Sequence, residues 1–274
     1  MQDKYTVSLF GSGETIDGLE ESFTLAKRFE LIQTIPDPSI DKNSFEKEYE
    51  LFQKSKKPNI CVVSDYRKRI EYFDDNSLWL NIHAGILPSY RGFSSNSWAI
   101  LNNETEVGYT LHLLEYELDS GPIYYQKKFE IDTNEHYQDI RPKIIEHIIS
   151  KTPKNCEMIL EKKLSPLKQD ESLARYCGKL KPEDGYIYNF SSSSQSFHNI
   201  FRIFAKPLGS GVFYISNSKK FEVKNVHLPK YLVKYYGIEG TVVNKTNDIH
   251  WVKTADSVIG IEFANLNKNI GSRL

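Results

Sequence analysis

Residues 78–101 read LWLNIHAGILPSYRGFSSNSWAIL. The opening of this stretch has the apolar run of a buried strand, and residues two apart in a strand share a face. Asn81 and His83 therefore point the same way, with Ile82 opposite them in the core. A buried amide and imidazole need polar partners, either a neighbouring side chain or a ligand. The run then opens into a polar loop holding Pro88, Arg91 and Gly92, and a helix begins in SNSWAIL.

Upstream of this strand the pattern alternates. YTVSLFGSG is an apolar strand ending in a Gly-rich turn, and IDGLEESFTLAKRFE has helical spacing at Leu19, Phe23 and Ala26. ELIQTIPDP gives a second strand, SFEKEYELFQKSKK an amphipathic helix and NICVVSD a third strand. Strand and helix alternating up to about residue 80 predict an α/β, Rossmann-like unit of parallel strands with crossover helices. Downstream, GYTLHLLEY and PIYYQKKFEI predict paired strands, and a long helix from His136 to Lys163 is expected to break at Pro153. After about Lys163 the pattern changes again. LKPEDGYIYNF is a turn-rich connector, and SQSFHNIFRIFAK is a helix with Phe197, Ile200, Phe201 and Phe204 on one face. The serines at 191–194 can cap that helix, and short antiparallel strands follow to Phe263. The expected division is residues 1–180 and a smaller, mostly β module over 181–274, with the boundary within 163–185.

Composition narrows the function classes. The 274 residues carry 35 Lys and Arg against 36 Asp and Glu, a net charge of -1. That balance offers no global attraction to nucleic acid or an anionic membrane. Cys61, Cys156 and Cys177 have no zinc or disulfide spacing and are expected to be reduced thiols. No leader segment and no apolar window long enough to span a membrane is evident, so a cytoplasmic location is expected.

Candidate chemistry follows from residue types. A neutral imidazole at His83 can remove a proton near pH 7, and the Asn81 amide can donate to a developing oxyanion. Both lie near the carboxyl end of a parallel strand, where open α/β sheets place ligands. Asp119, in LDSGPI, is either a turn residue or a carboxylate that orients His83 and raises its pKa. FGSG supplies Gly11 and Gly13, but Ile16 stands where a dinucleotide fingerprint needs its third glycine. This weighs against a nicotinamide-dependent oxidoreductase. Ser89, Tyr90 and Arg91 could grip an anionic substrate or form a solvated loop. Asn96 and Trp98 stand near a helix start, where Trp98 can equally be core. Arg202 and Lys206 have the i, i+4 spacing of one helix face, suited to a pyrophosphate or to solvent.

Taken together, NIHAGILPSYRG, the later LDSG and KLKPEDGYIYNF followed by FRIFAKP resemble the formyltransferase family that uses 10-formyltetrahydrofolate. That family includes methionyl-tRNA formyltransferases and sugar-nucleotide N-formyltransferases. The resemblance covers about residues 58–215, and its most specific feature is Asn-x-His followed 36 residues later by Asp. It implies that Asn81, His83 and Asp119 are the catalytic triad. It also implies that Tyr66, Arg67, Lys68, Arg69 and Ile70 hold the pterin ring of the folate co-substrate, largely through their backbone. The turn from Glu115 through Leu118 to Asp119 would close over the same ring. tRNA-acting members usually read SLLPRWRGAAP, whereas GILPSYRGFSSNSW is more similar to enzymes acting on dTDP-linked amino sugars. The resemblance thus implies formyl transfer to the amine of a nucleotide-linked amino sugar, for surface-glycan synthesis, without a metal and in a homodimer. His83 would take the amine proton, Asn81 would hydrogen-bond the oxygen of the tetrahedral intermediate, and Asp119 would orient His83. Methionyl-tRNA formyltransferase is the alternative; near-neutral charge and a shortened C-terminal module weigh against it. A catalytically silent binding module is opposed by the intact triad.

Overall fold

A computed structural model describes residues 4–70, 76–207, 209–231 and 234–274. The chain divides into two compact units. The first comprises Met1–Asn96, Glu106–Glu130 and Ile140–Gly178; the second comprises Ser97–Thr105, Ile131–Asp139 and Lys179–Leu274. The chain thus visits the second unit twice before entering it for good.

In the first unit, β1 (Tyr5–Phe10), α1 (Glu14–Leu25), β2 (Phe29–Ile35), α2 (Lys42–Lys54), β3 (Ile60–Ser64) and β4 (Leu78–His83) alternate as the periodicity requires. They are followed by β5 (Arg91–Gly92), β6 (Glu106–Leu113) and β7 (Ile123–Glu130). The six-stranded sheet runs β2-β1-β3-β4-β6-β7, parallel from β2 to β4 and antiparallel beyond. Chain order reverses beside β1, between β2 and β3, which leaves a crevice outside the strand ends. Gly11 lies there with φ +146, and a Cβ on it would sit 1.8 Å from the Ser64 carbonyl oxygen. The glycine therefore serves the close approach of two strand ends. Phe10, Phe52 and Trp79 pack beneath, with ring centroids 5.2 Å apart for Phe10–Phe52 and 4.9 Å for Phe10–Trp79.

Asp37 ties the loops at this end together. Its carboxylate accepts from the N–H and hydroxyl of Ser39 and from the Arg67 N–H, while its own N–H donates to Ser12 Oγ at 2.9 Å. The loops after β1, β2 and β3 are joined through one residue.

α3 (Ser95–Leu101) and α4 (Tyr137–Leu160) each run across a boundary between the units. The expected break in the long helix is absent: α4 continues through Pro142 and Pro153. Pro153 cannot donate to the Ile149 carbonyl four residues back. The Ser22 hydroxyl of α1 donates to that carbonyl instead, at 2.8 Å, so the helix keeps its course without an orphaned acceptor.

β8 (Tyr176–Cys177) closes the first unit; in the second, β9 (Tyr186–Ile187) precedes α5 (Ser194–Phe204) in the chain. β10 (Val212–Ser216), β11 (Lys219–His227), β12 (Val242–Thr246), β13 (Ile249–Lys253) and β14 (Val258–Phe263) follow. Their sheet order is β12-β13-β14-β11-β10-β9, antiparallel except for β9 against β10. Ser193 caps α5 by accepting the Ser196 N–H at 3.1 Å. Phe197, Phe201 and Phe204 enter the core with Val212, Ile259 and Ile261. No helix among the described residues is long and apolar enough to cross a membrane.

Asp37→Ala is expected to leave the Arg67 and Ser39 donors unsatisfied and to cost about 1–3 kcal/mol at neutral pH. Burial pushes this carboxyl up, but the Ser39 and Arg67 donors outweigh it and hold its pKa below 3.8. A group with a depressed folded pKa gives stability that is present above its unfolded pKa and lost as pH falls through the folded one. Urea midpoints of wild type and variant should therefore differ at pH 7 and converge only below pH 3.8. Equal midpoints at pH 7 would remove Asp37 from this role.

Candidate active site

β4 ends at His83, and β6 runs antiparallel beside it with His112 directly opposite Asn81. Cross-strand partners project from the same face, so Asn81, His83 and His112 share one surface. The turn after β6 brings Asp119 to it. Asp119 is 7% exposed and holds φ +53, a left-handed backbone that side chains other than glycine rarely adopt.

Its carboxylate organises the group. Oδ2 lies 3.2 Å from His83 Nδ1 and accepts the Gly92 N–H at 2.7 Å. Oδ1 accepts from Asn81 Nδ2 at 3.3 Å and lies 3.6 Å from His112 Nε2. Burial pushes the Asp119 carboxyl up; the His112 contact, the charge of His83 and the Gly92 N–H outweigh it, so the net shift is downward and the group is a carboxylate at neutral pH. His83 is shifted down, first by burial and slightly by His112, against the opposing pull of Asp119 and the Tyr90 carbonyl. The ring is thus neutral at pH 7 and able to take a proton.

The two nitrogens of His83 both face acceptors. Nδ1 faces Asp119, and Nε2 lies 2.6 Å from the Tyr90 carbonyl oxygen. A neutral ring carries one N–H and can satisfy only one of them; the imidazolium satisfies both. The surroundings therefore suit a protonated ring, while burial keeps the resting ring neutral.

His112 is a member that the sequence reading did not include. Its Nδ1 lies 2.8 Å from the Leu113 carbonyl and donates to it, which leaves Nε2 to accept from Asn81 Nδ2 at 3.0 Å. Both amide hydrogens of Asn81 are thereby engaged, on His112 and Asp119. An oxyanion placed here would take the hydrogen now held by Asp119 at the longer distance.

The expected folate segment, Tyr66 to Ile70, follows β3 at the same sheet end. Tyr66 is half-buried against Phe10, and Arg67, Lys68 and Arg69 are exposed. Among the described residues, the N–H groups of Lys68, Arg69 and Ile70 donate to no protein group. Arg69 stacks 3.5 Å above the Tyr116 ring and donates to the Tyr116 carbonyl at 3.0 Å. The Glu115–Asp119 turn is thereby joined to that segment, with Glu115 and Leu118 exposed.

Several expected substrate contacts are overturned by burial. Arg91 is fully buried. Its Nε and Nη2 donate to Gln169 Oε1, Nη2 and Nη1 to Glu171, and Nη1 to the Tyr176 hydroxyl. A guanidinium has five N–H donors, and all are occupied, so none is left for an anion. Asn96 is also buried, with its amide paired both ways to the Gly108 backbone at 2.8 and 2.9 Å. Arg202 is buried in the second unit and donates to the Asp132 and Glu135 carbonyls at 2.7 Å each. Lys206 does not share its helix face: α5 ends at Phe204, and exposed Lys206 pairs with Glu222 at 2.6 Å. Ser89 and Tyr90 are half-buried beside the site, and Trp98 is half-buried in the second unit.

Residues 29–162 match the model of the formyl transferase family. Bifunctional polymyxin resistance protein ArnA of Wigglesworthia glossinidia brevipalpis is 27% identical over 164 residues, 60% of this chain and 24% of that protein. Methionyl-tRNA formyltransferase of Thermotoga maritima is 30% identical over 183 residues, 64% of this chain and 57% of that one. This chain thus spans about a quarter to a little over half the length of these curated relatives. Among solved structures, the sugar 3N-formyltransferase WlaRD, crystallised with dTDP and 5-N-formyl-THF, superposes with a TM-score of 0.70 at 21% identity, covering 97% of this chain and 100% of that one. The N-formyltransferase of Helicobacter canadensis, in complex with folinic acid and dTDP-3-aminofucose, gives 0.69 at 18% identity over 94% and 98%. At these identities the superpositions establish the α/β fold and its sheet-rich C-terminal module.

Asp119→Asn removes the charge that pulls the His83 pKa upward. The acidic limb of kcat against pH, already expected below 6.5 because burial depresses His83, should move to still lower pH. The maximal rate should fall about a hundredfold or more, as for other acid–base groups robbed of their partner. An unmoved limb with a near-normal rate would separate Asp119 from the chemistry.

Proposed function

We propose that this chain, whose residues 29–162 match the formyl transferase family, transfers a formyl group from 10-formyltetrahydrofolate to the amine of a nucleotide-linked amino sugar. The observation that carries this reading is a buried, neutral His83 held between Asp119 Oδ2 and the Tyr90 carbonyl, with the Asn81 amide on the same face. The folate supplies its formyl as an activated amide, so the chain's own residues have to position the amine, take its proton and stabilise developing negative charge. His83 Nε2 takes the amine proton as the amine bonds to the formyl carbon, the Tyr90 carbonyl accepts the new N–H, and the proton passes to N10 as the C–N10 bond breaks and tetrahydrofolate leaves. Asp119 holds Nδ1–H and steadies the cation. Asn81 turns one N–H to the developing oxyanion. Lys68 to Ile70 offer main-chain donors to the pterin.

The amino-sugar acceptor is supported by the two solved neighbours described with dTDP or a dTDP-sugar, and by a net charge of -1, which supplies no electrostatic drive toward tRNA. A dTDP-linked 3-amino- or 4-amino-dideoxyhexose is the acceptor we assign, with the formylated sugar destined for surface glycans and the enzyme acting in the cytoplasm as a homodimer. Methionyl-tRNA is the second acceptor, favoured by the curated relatives that bear that name.

Purified protein given 10-formyltetrahydrofolate should release tetrahydrofolate with one of the two amino sugars and not with methionyl-tRNA. His83→Asn should fold yet lose about a hundredfold or more in kcat. Turnover with methionyl-tRNA alone would replace the acceptor; turnover with neither acceptor, or an active His83→Asn, would refute the reading.

A further inference from the structure

Residues 167–177 lie along the catalytic turn as a strap fastened at both ends. At one end Leu167 and Ile123 exchange N–H to carbonyl bonds of 2.8 Å in each direction, just beyond the Asp119 turn. At the other, β8 pairs with β5: Arg91 N–H donates to the Arg175 carbonyl at 2.9 Å and Phe93 N–H to the Cys177 carbonyl at 3.0 Å. Between these fastenings Gln169 is 5% exposed, and every hydrogen-bonding site of its amide is in use. Oε1 accepts from Arg91 Nε at 3.1 Å and Nη2 at 2.8 Å. Nε2 donates to the carbonyl oxygens of Asp119 at 2.8 Å and Gly121 at 2.7 Å. The amide cannot be reversed, since that would set its oxygen against two carbonyls and its NH2 against a guanidinium.

The chain either side of Arg91 reaches the same group. Tyr90 gives its carbonyl to His83, and Gly92 gives its N–H to Asp119. Arg91, pointing the other way, gives its side chain to Gln169, which returns to the Asp119 backbone. The loop closes on Asp119, a residue with a side chain that holds a left-handed backbone. Such a conformation persists only where its surroundings over-determine it. The Asp119 side chain is held from the sheet, and its main chain is held from the strap.

We propose that Gln169, set by Arg91, is a positioning residue that fixes the Asp119 backbone so that its carboxylate stays on His83. This rests on the formyl-transfer reading only for the rate it affects; the arrangement itself stands on the hydrogen bonds just described.

The test uses the full chain with Gln169→Leu, which removes both functions of the amide. NMR titration of the His83 ring, assigned by its loss in His83→Asn, requires no substrate. In folded Gln169→Leu the midpoint should fall below that of the wild type, because a loosened Asp119 no longer pulls it upward. The kcat should drop by about tenfold to a hundredfold, the usual effect of a small misplacement, with both KM values within twofold. A purely stabilising residue would lower the melting temperature and leave the titration where it was; that outcome overturns the proposal. If the leucine variant does not fold, Gln169→Glu keeps the acceptor for Arg91 while setting a carboxylate against two carbonyls. It should move the titration in the same direction relative to its own unshifted folding controls, and failure of both variants to fold would assign the amide to stability and also overturn the proposal. Absence of formyl transfer by the wild type would sink the functional reading while leaving the titration as a valid test of the strap.

Discussion

A single carboxylate, buried and ionised, is what the first unit is arranged around. Removing a charge from water is costly unless donors replace the hydration. Asp119 meets that requirement with a main-chain N–H from Gly92, an amide N–H from Asn81 and the Nδ1 side of the His83 ring. Asn81 and His83 come from β4 and Gly92 from the chain that follows it. Satisfying the charge therefore fixes β4 against β6 and draws the loop after β4 onto the turn after β6. The pairing of β4 with β6 is antiparallel, which is why residues distant in sequence face one another at a strand end.

The same logic makes the site hold a proton reluctantly and then hold it well. Burial works against any charge on His83, while two acceptors wait at its two nitrogens. These effects oppose each other on one ring. The resting state is a neutral base, and the charged state, once formed, meets ready-made partners. Preorganisation of this kind avoids rearranging the site at the moment charge develops.

What could be read from sequence was local and periodic. Asn81 and His83 share a face because a strand repeats every two residues, and that held. The parallel half of the sheet followed from alternation, and the aromatic face of α5 from helical spacing. Contacts that depend on register or on long-range partners were not legible. His112 required knowing that it stands opposite Asn81; its only local mark is a polar residue flanked by leucines in an apolar strand. Arg91 and Arg202 looked like free cations because their partners are carbonyls and side chains many residues away. Lys206 looked like a helix residue, although Pro207 right after it is a signal that α5 had ended. The break expected at Pro153 was averted by a hydroxyl on another helix, which no local pattern carries.

The interleaving of the two units bears on how a ribosome delivers this protein. Ser97–Thr105 and Ile131–Asp139 emerge early, yet they belong to a unit whose sheet is not complete until Phe263. Arg202 reaches back to carbonyls at Asp132 and Glu135. The parallel strands of the first unit can begin to assemble while synthesis continues. The two early segments have no finished core to join until the strand ending at Phe263 has left the exit tunnel. The second unit is thus completed last, and severing the chain near residue 178 would separate it from parts of itself.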